Sequence, residues 1–140
     1  MSSTFRTTRR IEFRDTDAAG IAHFSAFFLY MEQVEHEFLR SLGLSVMTSD
    51  AEGPISWPRV AAHCDYQGPA HFEDLLDVEL QVARLGDKSV SYEFCFTHAG
   101  RDVAVGKLTA VCCRMEPTGA RAIAIPDWIR SRLAPWQIAP

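Results

Sequence analysis

Hydrophobic residues recur along this chain with two different periods. Phe24, Phe27, Phe28, Met31, Val34, Phe38, Leu39 and Leu42 follow one another in steps of mostly three and four, which places them on one face of a helix. The spacing predicts a helix over 24–42. Gly43 stops it, because glycine takes the left-handed conformation that ends helices at little steric cost. Elsewhere the period is two. Ile11 and Phe13 alternate with Arg10 and Glu12, which predicts a first strand over 5–13. Val78, Leu80 and Val82 alternate with Asp77, Glu79 and Gln81, and Val90, Tyr92, Phe94 and Phe96 alternate with Ser89, Ser91, Glu93 and Cys95. Such strands bury one face and wet the other. The chain also reads as strand from Arg59 onward and over 103–115, where Gly106 suggests a bulge.

Turn residues divide these runs. Gly53, Pro54 and Pro58 mark a loop over 51–58, and Ala99-Gly100-Arg101-Asp102 reads as a hairpin turn. A short C-terminal helix fits after Pro126, since proline suits a first helical turn. One strand, one long helix and then four strands make an α+β domain. It is expected to hold a single meandering antiparallel sheet of about five strands. The aromatic helix suits the centre of a sheet that wraps around it. Any amphipathic helix packed on a core would show the same spacing.

The chain has 140 residues, enough for one domain over 1–140 with a real core. Its net charge is −4 with no basic block, which gives no support to nucleic acid as a partner. No run approaches the ~20 apolar residues of a membrane span, and Met1 to Arg6 lacks an apolar signal core. A cytoplasmic location is expected. The four cysteines, Cys64, Cys95, Cys112 and Cys113, form no CxxC pair and read as buried free thiols.

The candidate chemistry lies just ahead of the helix, in Arg10-Ile11-Glu12-Phe13-Arg14-Asp15-Thr16-Asp17-Ala18-Ala19-Gly20-Ile21-Ala22-His23-Phe24. Two carboxylates sit on a glycine-containing loop. A helix N-terminus offers unpaired backbone N–H groups and a partial positive charge. An oxyanion can form there while an aspartate acts as nucleophile or base. Aspartate near a helix start is also a common cap or turn former.

The run Glu12-Phe13-x-Asp15-x-Asp17-x-Ala19-Gly20-Ile21, followed by the aromatic helix and Leu39-Arg40-Ser41-Leu42-Gly43, resembles the 4-hydroxybenzoyl-CoA thioesterase family. These are hotdog-fold acyl-CoA thioesterases, with the YbgC-type enzymes among their relatives. Asp65-Tyr66-x-x-Pro69-Ala70-x-Phe72-Glu73-Asp74-Leu75-Leu76 and Arg121-Ala122-Ile123-Ala124-Ile125-Pro126 carry the likeness over nearly the whole chain. The resemblance implies a hotdog fold and hydrolysis of an acyl-CoA, either aromatic, such as 4-hydroxybenzoyl-CoA, or short-chain. It implies no cofactor. It also implies a homodimer joined edge to edge, with the site between subunits, and assembly into a homotetramer.

By the same resemblance Asp17 carries catalysis, and backbone N–H groups near His23 and Phe24 cradle the oxyanion. His23 stands where the family is usually aromatic. Gly20 lies in the substrate loop, and Arg59 opens a segment facing the partner's pocket. Glu32 is a second acid on the helix; four residues from His36, it also reads as one half of a solvated pair. Asp15 reads as a loop-ordering residue. Coenzyme phosphates need cations, and the turn containing Arg84, Lys88 and Ser89 is the family's place for them, thinly supplied here and opposed by Asp87. The five histidines show no metal-ligand spacing. A non-catalytic acyl-CoA-binding hotdog protein is the alternative, and a hotdog hydratase would require a His–acid motif that this sequence lacks.

Overall fold

The computed structural model describes residues 3–138. The first two residues of the segment read as lacking a signal core, and both ends of the domain drawn over 1–140, lie outside the described residues. The strands are β1 (Thr4–Arg10), β2 (Thr48–Asp50), β3 (Gly53–Ser56), β4 (Arg59–Tyr66), β5 (Leu75–Leu85), β6 (Ser89–His98), β7 (Arg101–Val111), β8 (Cys113–Glu116) and β9 (Gly119–Ala122). The helices are α1 (Ala26–Ser41) and α2 (Asp127–Leu133).

Two antiparallel sheets result, not one. Five strands run in the order β1-β5-β6-β7-β4, and four short ones in the order β2-β3-β8-β9. The second sheet corrects the reading of 51–58 as loop, since β3 lies within it. Its strands are three or four residues long, too short for alternation to register. The strand expected over 103–115 also divides, because Cys112 leaves the ladder. Its N–H bonds the Lys88 carbonyl and its own carbonyl takes the Ile123 N–H, so the chain passes from one sheet to the other at a fully buried residue.

The first strand ends at Arg10 rather than Phe13. Asp15 closes a turn there: its backbone N–H bonds the Glu12 carbonyl and its Oδ2 accepts the Glu12 N–H, both at 2.9 Å. Phe13 is consequently 78% exposed, packed edge-on against Phe72.

Alternation set the long strands correctly. Leu76, Val78, Leu80 and Val82 of β5 are all buried, as are Val90, Tyr92, Phe94 and Phe96 of β6. Against this face α1 lays Phe27, Tyr30, Met31, Val34, Phe38 and Leu39. Phe27 meets Phe96 edge-on at 5.4 Å, and Phe38 meets Tyr92 at 6.1 Å. Gly106 is not at a bulge. A Cβ there would stand 2.3 Å from Met31 Sδ, so the missing side chain lets the helix approach β7. The 99–102 turn forms with Ala99 and Gly100 both at positive φ, as a type I′ hairpin requires.

The cysteines are all free. Cys112 and Cys113 are buried, but Cys95 points outward from β6 between Phe94 and Phe96 and is exposed, so the expectation of burial fails there. Among the described residues no helix is long and apolar enough to cross a membrane.

Candidate active site

The loop ahead of α1 is ordered by its own two aspartates. Asp15 Oδ2 accepts the Glu12 N–H and the Tyr30 hydroxyl of α1, each at 2.9 Å. Burial, helped by this bond to the Asp15 carboxylate, raises the Tyr30 phenol far above its ordinary value. Asp15 therefore ties the loop to the helix. Asp17 is half-buried. Its Oδ1 accepts the Ala19 N–H at 2.8 Å, and its carbonyl takes the Gly20 N–H at 3.0 Å. Gly20 closes this turn at φ 80°, a conformation that side chains resist. Oδ2 of Asp17 accepts no hydrogen bond among the described residues.

Asp17 borders a cavity of about 460 Å³, lined also by Ile21, Phe24, Phe27, Tyr66 and the 67–70 segment. Three aromatic rings and one carboxylate face the same space. The helix begins at Ala26 rather than Phe24, with Ser25 at its cap position. Phe24 stands outside the helix, 64% exposed, at the cavity wall. Its N–H has no acceptor among the described residues.

His23 does not offer its backbone in this way, which corrects half of the expected cradle. The His23 N–H bonds the Asp15 carbonyl at 2.7 Å. Its ring packs on Phe24 at 4.3 Å, with Nδ1 accepting the Ser25 N–H at 3.2 Å. A ring nitrogen that accepts carries no proton, which leaves the hydrogen on Nε2 in the neutral ring. His23 lines a separate, smaller cavity with Arg14, Ser25 and Leu29.

Other expected site residues lie elsewhere. Glu32 is exposed on α1 and borders none of the cavities described. Arg84, Lys88 and Ser89 sit at the β5–β6 turn. Tyr66 aligns with Ala104 and through it with Phe96, whereas Ser89 pairs with Val111 at the other end of β7. Seven residues of strand separate Phe96 from Ser89, about 23 Å at ~3.3 Å per residue. Within one chain that turn is remote from Asp17.

Arg59 is engaged: its guanidinium pairs closely with Glu35 and donates to the Trp57 carbonyl. Glu35, only 1% exposed, was not singled out in the sequence. Burial raises its carboxyl to about 7, against the pull of Arg59. The signal was its place on the buried stripe, four after Met31 and three before Phe38. Tyr66 was also missed as a site residue. Its hydroxyl donates to the Phe24 carbonyl at 2.6 Å, tying β4 to the start of α1.

Two antiparallel sheets, a helix laid on the larger one, and a carboxylate loop at that helix's N-terminus form the hotdog thioesterase fold. Residues 11–133 match the Thioesterase-like superfamily, and the chain belongs to it. Among its relatives, a 1,4-dihydroxy-2-naphthoyl-CoA hydrolase of Synechococcus sp. (strain WH7803) is 30% identical over 94% of this chain and 92% of its own. The crystal structure of a gentisyl-coenzyme A thioesterase has TM-score 0.78 and 29% identity over 92% of this chain and 99% of that one. That of a 1,4-dihydroxy-2-naphthoyl-CoA thioesterase from Synechocystis has TM-score 0.84 and 23% identity over 94% and 96%, a likeness of fold.

Proposed function

We propose that this chain hydrolyses acyl-coenzyme A thioesters of aromatic acids, with Asp17 as the reacting carboxylate. One observation carries the reading: Asp17, and Phe24 with its unpaired N–H, line a single cavity with Phe27 and Tyr66. Aromatic rings favour edge and offset contacts with an aromatic acyl group. The activities for which the relatives are named, on dihydroxynaphthoyl and gentisyl thioesters, support the same class.

The thioester carbonyl carbon sits over Asp17 with its oxygen toward the Phe24 N–H. In the base route Asp17 takes a proton from water, and the hydroxide adds to the carbonyl. The oxyanion is held by the N–H, and collapse breaks the C–S bond. The departing thiolate takes up the proton. In the nucleophile route Asp17 itself adds, a mixed anhydride forms as thiolate leaves, and water then opens it. Either way the charge develops beside a preorganised donor, an effect worth about 3 kcal/mol per donor. His23 packs on Phe24 and holds its peptide in place.

The reading takes residues 1–140 as one domain, its sheet wrapped around α1, working in a reducing cytoplasm. It further takes two chains to join along β4, with tetramers built from such dimers. β4 is an edge strand exposed along most of its length, with Val60 63% exposed. Exposed edges invite pairing. A partner so joined supplies the pocket wall that one chain leaves open.

Purified protein is tested for thiol release from benzoyl-, 4-hydroxybenzoyl-, acetyl- and butyryl-CoA. Aromatic thioesters are expected to turn over with the higher kcat/KM. Aliphatic preference would overturn the substrate class, and no release from any would overturn the activity.

A further inference from the structure

A second cavity, of about 330 Å³, lies between β1 and α1 and is lined by Thr8, Arg9, Arg10, Gln33, His36 and Arg40. In a chain of net charge −4, three guanidinium groups here face one space. Arg9 is largely neutralised: it pairs with Glu37 at 3.1 Å and donates through Nε to Gln33 Oε1. Arg10 donates from one nitrogen to the Glu73 carbonyl. The Arg40 guanidinium makes no hydrogen bond or ion pair among the described residues. Because Gln33 accepts through its oxygen, its amide nitrogen turns outward with two N–H donors. His36 Nε2 is buried without a hydrogen-bond partner. The Glu35 carboxylate stands 3.8 Å from it and is itself paired with Arg59.

The free groups of this cavity are thus mainly donors. A ligand that fits must be rich in acceptors and must carry negative charge to balance Arg10 and Arg40. Phosphate meets both needs, and planar guanidinium groups bind it through paired N–H donors. We propose that the cavity between β1 and α1 binds a phosphate group through Arg10, Gln33 and Arg40, with the His36 ring in its wall.

Its position bears on where the phosphate comes from. Thr8 pairs with Asp77, and Asp77 with Thr97, next to Phe96. The cavity therefore shares the end of the sheet that holds Tyr66, opposite to the Arg84–Ser89 turn. Leu29, Gln33, His36 and Arg40 follow at helical spacing along one face of α1, and Leu29 also lines the cavity of His23. The path from Leu29 to His36 is about 10 Å along the helix, at 1.5 Å per residue. A phosphate here belongs either to the coenzyme half of the substrate, laid along this face, or to a free phosphate. The first source rests on the thioesterase reading; the binding itself does not.

Two measurements test this. In the first, inorganic phosphate and adenosine 3′,5′-bisphosphate are titrated into wild type and R10A/R40A, followed by NMR. Shifts confined to the His36 ring, the Gln33 amide and the backbone around Arg10 are expected, with affinity at least about tenfold weaker in the variant. Equal binding by both proteins, or none by wild type, overturns the site whatever the enzymatic activity. In the second, the two proteins are compared on an aromatic acyl-CoA and on the same acyl group carried by N-acetylcysteamine, which has no phosphate. A KM raised about tenfold for the CoA substrate alone assigns the site to the coenzyme. Unchanged KM with phosphate binding lost assigns it to free phosphate. If the double variant does not fold, R40Q, at an exposed side chain, carries the same comparisons.

Discussion

Asp15 and Asp17 stand in one loop and face different partners. Asp15 holds both the Glu12 N–H and the Tyr30 hydroxyl through Oδ2 and so ties the loop to α1, whereas the Asp17 carboxylate bonds only within its own turn and borders the cavity. Asp17→Asn is expected to keep its turn and melting temperature while turnover falls at least ~100-fold. Asp15→Asn is expected to lower the melting temperature more than the rate. Steady-state kinetics and thermal melts of the two variants check this, and an active Asp17→Asn beside a dead Glu32→Gln would reverse the roles. Glu35 makes a prediction about pH. Its carboxyl is raised by burial from 4.5 to about 7, so the folded state holds a proton that the unfolded state has already lost. The stability this contributes is complete below about pH 4.5 and disappears as pH rises through about 7. Melts of wild type between pH 4.5 and 7 are therefore expected to fall with pH, relative to those of Glu35→Gln. Parallel curves would show that Glu35 stays charged beside Arg59.

At the scale of elements, the join between α1 and β7 turns on a missing side chain. Met31 is 1% exposed and its sulfur fills the space above Gly106. Gly106→Ala puts a methyl group into that sulfur. Overpacking of this kind costs about 1–3 kcal/mol, and Met31's flexibility favours the lower part of the range. Denaturant unfolding of G106A, M31A and the double variant checks it. The double variant is expected to lose less than the sum of the single ones, because each relieves the other's defect. Strict additivity would mean that β7 moves aside instead. Either result also bears on catalysis, since α1 carries at its N-terminus the peptide that Tyr66 holds from β4.

For the whole molecule the exposed β4 edge decides the prediction. An eight-residue edge with most side chains in water is expected to pair with its copy, so sedimentation should find no active monomer at assay concentration. Mixing gives a sharper readout. Tyr66 and the 67–70 segment already wall the Asp17 cavity within their own chain, so the partner's lesion belongs on the exposed edge over 60–65. Asp17→Asn subunits combined with subunits so altered should regain one good site per mixed dimer. Proven exchange without recovery would mean that each site is complete within one chain.

Sequence by itself determined the parts whose physics is local. Period two fixed the inward faces of β5 and β6, period near 3.6 fixed the buried stripe of α1, and the glycine of Ala99-Gly100-Arg101-Asp102 marked the hairpin turn. The Asp17 loop was legible because a turn aspartate, a glycine and a helix start must be neighbours in the chain to act together. Three things were not legible. Strands of three or four residues, such as β2 and β3, leave no period to read. The helix starts at Ala26 rather than Phe24, after a turn in which His23 and Ser25 bond one another. Glu35 meets Arg59, Gly106 meets Met31, and Tyr66 meets Phe24 only across folded distances. Contacts between residues far apart in sequence depend on how sheet and helix pack, and tertiary structure alone brings them together.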